Sequence, residues 1–191
     1  RIFNEDCLDG MKRIEDKSID MILCDLPYGT TACKWDTVIP FEPLWEQYNR
    51  IIKDNGAIVL TAQTPFDKVL GVSNLKLLKY EWIWDKEVGT GFLNAKKMPL
   101  KSHENILVFY KKKPIYNPQM TNANPKNIRP LTTSEQTSSN YGKVEKVKAS
   151  EDYDVTKRYP KSVIPFSKNS GELNSLKRIH PTQKPISLFE Y

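Results

Sequence analysis

Two short apolar runs, IDMILC (Ile19–Cys24) and AIVLTA (Ala57–Ala62), flank an amphipathic stretch, and this pattern constrains the fold more than any other feature. Continuous runs of strand length suit strands buried on both faces, the habit of parallel sheets. Between them Leu44, Trp45, Tyr48, Ile51 and Ile52 recur at helical spacing from Pro43 to Asn55, with Gly56 as the expected stop. Strand, helix and strand in that order make a βαβ unit. IFNEDC reads as a short opening strand, and Leu8, Met11 and Ile14 as a helical face. Thr64-Pro65 reads as the N-cap and first-turn proline of a helix through Leu70, and YEWIWDKE and ENILVFYKK as two more strands. The expectation is a doubly wound α/β sheet.

With 191 residues, 39% of them hydrophobic, the chain has material for one sizeable core and not for two independent ones. Near Pro114 the texture changes. From there to about Pro160 the chain is polar, rich in Asn, Pro, Ser, Thr and Lys, and without sustained period. Such a tract is either a solvated insertion or a recognition loop. Order returns at RYPKSVIPFS and HPTQKPISLFEY, so the divisions are a core over 1–113, an insertion over 114–160 and a return to the core over 161–191. The net charge of +6 favours an anionic partner such as nucleic acid. Cys7, Cys24 and Cys33 are odd in number and form no CxxC pair, which argues against a disulfide framework or a zinc site and for a reducing cytoplasm. No apolar run reaches membrane-spanning length, and no signal segment opens the chain.

In an open α/β sheet ligands bind where strands end at their carboxyl edge, and Asp25-Leu26-Pro27-Tyr28 lies there, after IDMILC. A strand-ending Asp followed by Pro27 and Gly29 also serves as a plain turn cap. A chemical reading is more specific. An exocyclic amine on a nucleobase is a poor nucleophile because its lone pair is delocalised into the ring. Two acceptors gripping its N–H bonds localise that pair. The Asp25 carboxylate supplies one, the Leu26 carbonyl the other, and Pro27 fixes the carbonyl's aim. Tyr28 offers a flat face for an extruded base.

Asp25-Leu26-Pro27-Tyr28 resembles the D-P-P-Y motif of the DNA amino-methyltransferases that use S-adenosylmethionine. NEDCLDGM (Asn4–Met11), HENILVFYKK (His103–Lys112) and HPTQKP (His180–Pro185) are similar to other segments of that family, in the order of its beta group. The resemblance covers about residues 2–113 and 158–191. It implies a Rossmann-like methyltransferase sheet with the polar insertion as target-recognition region, and site-specific methylation of adenine N6 in double-stranded DNA. Asp25, Leu26, Pro27 and Tyr28 would be catalytic. Asp6, Cys7, Asp25, His180, Pro181, Thr182, Gln183 and Lys184 would line S-adenosylmethionine, and no metal is called for. The setting implied is the cytoplasm of a bacterium or of a phage-infected cell, with a restriction endonuclease or a second copy as candidate partner.

Two departures accompany the match. Leu26 replaces the first proline, a change that spares the main-chain carbonyl, so Leu26→Pro is expected to be tolerated. The family's F-x-G-x-G loop, which holds the methionine part of the cofactor, belongs after HPTQKP, and the sequence stops at Tyr191 without it. The expectation is a truncated chain or one that binds cofactor poorly. The alternatives are cytosine-N4 or RNA methylation, a non-catalytic DNA-binding module, and glutamine methylation in proteins, whose motif opens with Asn. The preference for adenine rests on the acid that opens the tetrapeptide.

Weaker signals fall around this set. VGTGF (Val88–Phe92) reads as a loop facing substrate, since no helix pattern follows it, and the absence of a G-x-x-x-x-G-K-[ST] loop excludes a P-loop ATPase. His103-Glu104 is expected to be structural, positioning the strand that carries Leu107 and Phe109, and His180 to lie near the cofactor. Lys96, Lys97, Lys101 and Lys111–Lys113, with Lys143, Lys146, Lys148, Lys157 and Arg158 in the insertion, are candidate phosphate contacts. The four tryptophans, including Trp82 and Trp84, which alternate on a strand, are expected in the core and not as stacking platforms.

Overall fold

A computed structural model of the chain describes residues 2–128, 154–167, 180 and 182–191. Contacts divide the chain into Arg1–Tyr116 with Ser162–Tyr191, and Asn117–Lys161. Among the described residues no helix is long and apolar enough to cross a membrane. Pro181, Lys143, Lys146 and Lys148 lie outside the described residues.

In the first unit α1 (Cys7–Met11) precedes β1 (Ile19–Asp25), α2 (Phe41–Ile51), β2 (Ile52–Ala62), α3 (Phe66–Ser73), β3 (Leu78–Thr90), β4 (Lys101–Phe109), β7 (Val163–Pro165) and α4 (Ile186–Glu190). Five strands form one sheet in the order β1-β2-β4-β3-β7. β1 runs parallel to β2 and β3 to β7, whereas β4 is antiparallel to both of its neighbours. The sheet is therefore mixed, because β3 returns directly into β4 without a crossover helix.

Alternation along the central strands builds a core on each face. Ile58, Leu60, Leu107 and Phe109 pack with Leu44, Trp45, Tyr48 and Ile51 of α2 and with Phe66 and Leu70 of α3. Val59, Ile106, Val108 and Trp84 pack on the other face with Ile164 and with Leu188 of α4. The expectation of burial on both faces fails for β1. It lies at the sheet edge, and Met21 and Leu23 are 51% and 41% exposed.

Three local expectations also change. IFNEDC forms no strand; Ile2 and Phe3 are exposed, and Asp6 instead caps α1 by accepting the Leu8 N–H at 2.8 Å. Gly56 does not stop α2, which ends at Ile51, where Ile52 turns extended to pair with Ile19. Gly56 sits within β2, where an added Cβ would meet the Asp20 carbonyl oxygen at 2.8 Å. Thr64 makes no backbone cap; Pro65 holds the cap position of α3, and the Thr64 hydroxyl lies 3.5 Å from Asp67 Oδ2.

The second unit contains a two-stranded ribbon, β5 (Thr121–Asn122) against β6 (Lys157–Arg158). Lys157 Nζ donates to Asn122 Oδ1 at 2.7 Å. The Arg158 guanidinium donates to the carbonyls of Val155, Lys157 and Asn127, so it braces its own loop.

Candidate active site

The carboxyl ends of β1 and β2 meet the amino end of β4 and the carboxyl end of β3 at one edge of the sheet. Register decides which side chains face each other there. Asp25 pairs with Thr61 across β1 and β2, and Trp84 pairs with Glu104 across β3 and β4. Thr61 donates its hydroxyl proton to Asp25 Oδ1 at 2.6 Å. The Tyr28 hydroxyl lies 2.9 Å from Thr61 Oγ1, 3.0 Å from Asp25 Oδ1 and 3.3 Å from Glu104 Oε2. Because Thr61 has spent its proton on Asp25, its oxygen accepts from Tyr28, giving a Tyr28–Thr61–Asp25 relay. Burial, and then the negative charges of Glu104 and Asp25, push the Tyr28 phenol far above its ordinary value, so it stays a neutral donor.

Two lysines meet these two carboxylates. Lys184 Nζ lies 2.6 Å from Asp25 Oδ2 and 3.5 Å from Glu104 Oε2, and Lys86 Nζ lies 2.5 Å from Glu104 Oε1. The lysine side chains are only 6% and 8% exposed. A charge of either sign alone would be costly at this depth, and the balanced quartet offsets that cost. Lys184 reaches the site because Pro185, fully buried, anchors the chain just before α4.

The loop after Tyr28 is organised by Asp36, which accepts the N–H groups of Gly29, Thr30 and Thr31 at 2.8, 2.9 and 2.7 Å. Gly29 takes a φ of 66°, and an added Cβ would meet Val38 at 2.9 Å. At the loop's end Trp35 packs against His180 with ring centroids 5.0 Å apart, and His180 Nδ1 lies 2.9 Å from Thr182 Oγ1.

These elements enclose a cavity of about 510 Å³. Of the residues expected from sequence, Asp25, Leu26, Pro27, Tyr28, His180, Thr182, Gln183 and Lys184 line it together. Asp6 and Cys7 do not; they are exposed at the start of α1, although Cys7 is near enough to Cys24 to act on it electrostatically. Lys96 and Lys97 are exposed on the turn between β3 and β4. Leu26, expected to act through its backbone carbonyl, also places its side chain in the core, 5% exposed. His103 is exposed in β4, and Trp84 is buried as expected but also lines the cavity. Thr61, Lys86 and Asp36 carry no expectation from sequence; Glu104, expected to be structural with His103, lines the cavity, and Trp35, expected in the core, is 50% exposed at its edge. Lys86 and Glu104 did carry a signal, being charged residues in step with the apolar positions Trp84 and Ile106 on one strand face.

Comparison with known proteins agrees with this architecture. A type II methyltransferase, M1.MboII of Moraxella bovis, is 28% identical over 125 residues, covering 59% of this chain and 46% of its own length. The chain thus spans about half the length of that curated relative. The M1.HpyAVI–SAM complex superposes over 100% of this chain and 74% of its own, with a TM-score of 0.53 and 18% identity. The cytosine-N4-specific PvuII DNA methyltransferase superposes over 97% of this chain and 66% of its own, with a TM-score of 0.59 and 14% identity. At such identities these two likenesses speak to the fold, that of the S-adenosylmethionine-dependent methyltransferases. Residues 19–191 match the family model described as DNA methylase, of N6/N4 type, and the chain belongs to that family of adenine-N6 and cytosine-N4 methyltransferases.

Proposed function

We propose that this chain carries the catalytic site of a DNA methyltransferase that moves a methyl group from S-adenosylmethionine to adenine N6 of a flipped base. One observation supports this reading above the others. Lys184 Nζ donates to Asp25 Oδ2 at 2.6 Å and stands 5.2 Å from the centre of the Tyr28 ring. An N–H donor thus occupies the place that a base amine would take, against the carboxylate and beside the ring.

On entry the amine replaces Lys184 on Asp25, and Lys184 keeps Glu104 as its partner. Asp25 accepts one N–H and the Leu26 carbonyl the other, which localises the nitrogen lone pair and aims it. Thr61 and the neutral Tyr28 hydroxyl hold Asp25 Oδ1 and orient the carboxylate. Phe66, stacked on Tyr28 at 5.2 Å between centroids, holds the ring in place for the base to stack on. Once the amine has been alkylated, its surplus proton leaves to Asp25 and from there to solvent.

The lining fits the reacting end of S-adenosylmethionine through the Trp35–His180 pair, whose rings suit a sulfonium's positive charge, and through Thr182 and Gln183 for polar contact. When bound, the cofactor supplies an electrophilic methyl group. Asp6, Cys7 and the HPTQKP residues, Pro181 included, are proposed to line it. Lys96, Lys97, Lys157 and Arg158 are proposed to meet DNA phosphates.

The acid at Asp25 favours adenine, and cytosine N4 remains the alternative reading. Incubating the full-length gene product with tritiated cofactor and DNA should label N6-methyladenine. Label in N4-methylcytosine alone refutes the adenine assignment, and no label in any DNA favours a non-catalytic DNA-binding module. Asp25→Ala should lower transfer by about a thousandfold or more, and circular dichroism should show it still folded at the assay temperature although less stable, since the quartet loses one carboxylate. Near-normal turnover in that variant would sink the proposed grip on the amine.

A further inference from the structure

The turn joining β3 to β4 carries a feature that the chemistry at Asp25 does not use. Gly91 adopts a left-handed φ of 90°, and a single 3-10 turn, Phe92–Asn94, follows it. Bonds from Asn94 N to the Gly91 carbonyl at 2.9 Å and from Lys97 N to the Asn94 carbonyl at 2.8 Å hold the turn in one shape. Thr90 Oγ1 donates to the Lys101 carbonyl at 3.0 Å and closes the stem. On this braced tip Leu93 is 100% exposed, Phe92 70% and Met98 52%.

Scattered exposed apolar residues are ordinary. Here three fall within residues 92–98, on a protrusion so open that a Cβ on Gly91 would meet nothing within 4 Å. Lys96, Lys97 and Lys101 are exposed beside them, and no Asp or Glu occurs between Val88 and His103. The stem is continuous with the candidate site, since Thr90 lines the same cavity as Asp25 and Tyr28. A narrow tip offers too little area for a stable protein interface, which takes about 800 Å² from each partner. Three lysines beside the tip, with the nearest acid on this strand, Glu87, at the foot of the stem, favour a polyanion. Apolar side chains inserted between base steps unstack them, which a base must undergo before it can leave the duplex.

We infer that Phe92 and Leu93 form an apolar wedge that enters the base stack of duplex DNA beside the target, with Lys96 and Lys97 on the flanking phosphates. The inference rests on the proposed function and says how that site opens its substrate.

The test compares the full-length protein with its Leu93→Ala and Phe92→Ala variants on two duplexes. Both carry the recognition sequence mapped from the methylation products; one is fully paired, and the other places an abasic site opposite the target base. Pre-opening removes the work assigned to the wedge. Expected is a loss in kcat/KM of about tenfold or more on the paired duplex and less than about twofold on the pre-opened one. Equal losses on the two duplexes, or none on either, overturn the wedge. Equal losses accompanied by a shift from dimer to monomer in sedimentation overturn it in favour of self-association. A wild-type protein that methylates neither duplex refutes the methyltransferase reading itself, and the wedge with it.

Discussion

Replacing Glu104 by glutamine should destabilise the protein by an amount the site geometry sets. Glu104 holds Lys86 at 2.5 Å and lies 3.5 Å from Lys184, whose other partner is Asp25 at 2.6 Å. Removing one negative charge leaves two lysines, both nearly buried, to share a single carboxylate. Breaking a buried pair in this way costs about 3–5 kcal/mol, and because Gln keeps the volume and an acceptor oxygen, the lower figure, about 3 kcal/mol, is expected. With a urea slope of about 2 kcal/mol per molar, the unfolding midpoint should fall by about 1.5 M. Adding Lys86→Met to Glu104→Gln restores charge balance and should recover at least half of that loss. Kinetics give an independent reading, because Lys184 then keeps Asp25 as its one carboxylate and yields it less readily. KM for DNA should rise by about tenfold, equivalent to ~1.4 kcal/mol, with kcat little changed. A midpoint shift under about 0.5 M, or a double variant no more stable than the single, would refute the charge-balance argument.

Leu26→Pro should keep methyl transfer, since the carbonyl survives, but should cost about 1–2 kcal/mol in unfolding experiments because the Leu26 side chain is in the core. Asp36→Asn should cost about 1–3 kcal/mol, because an amide cannot accept three backbone N–H bonds as a carboxylate does. Burial pushes the Asp36 carboxyl up, but the Gly29 N–H, the Thr31 hydroxyl and the N–H groups of Thr31 and Thr30 outweigh it and hold the carboxyl below its ordinary value. Its stabilisation is therefore present above the unfolded-state value of about 3.9 and is lost as pH falls through the lower native one. An acid titration of stability should show that limb in the wild type and lack it in Asp36→Asn. A variant with an unchanged acid limb would contradict this account of the loop.

The strands and helices that form the core were legible because burial imposes a period. IDMILC, AIVLTA and ENILVFYKK became β1, β2 and β4, and the face of Leu44, Trp45, Tyr48 and Ile51 became α2. Strand order and direction were not legible. Nothing local to YEWIWDKE or HENILVF says that they pair antiparallel, and that pairing is what makes the sheet mixed. The exposure of Met21 and Leu23 is likewise a matter of β1's place at the edge. At the site, the sequence showed the residues that carry chemistry through their own type, namely Asp25, Tyr28 and the HPTQKP run. It hid those that act through a partner. Thr61 matters because register sets it opposite Asp25; Glu104, legible only as a structural residue beside His103, owes its place at the site to Trp84, which pairs with it two residues before Lys86.

The Asp25–Lys184 contact joins residues 159 positions apart, so the site is completed only when the HPTQKP segment docks on the sheet. Asp25 and Glu104 come from β1 and β4, two strands joined through β2, and the sheet alone brings these carboxylates to one edge. With only Lys86 beside them, the two carboxylates would repel each other. The docking of Lys184 supplies the missing positive charge and sets an N–H donor in the amine's place. The same contact thus stabilises the empty site and must be broken for the base to enter. Substrate binding is then an exchange of one N–H donor for another at Asp25, with Glu104 holding the displaced lysine. Little net charge is desolvated in such an exchange, so a carboxylate this close to the core can serve a neutral amine.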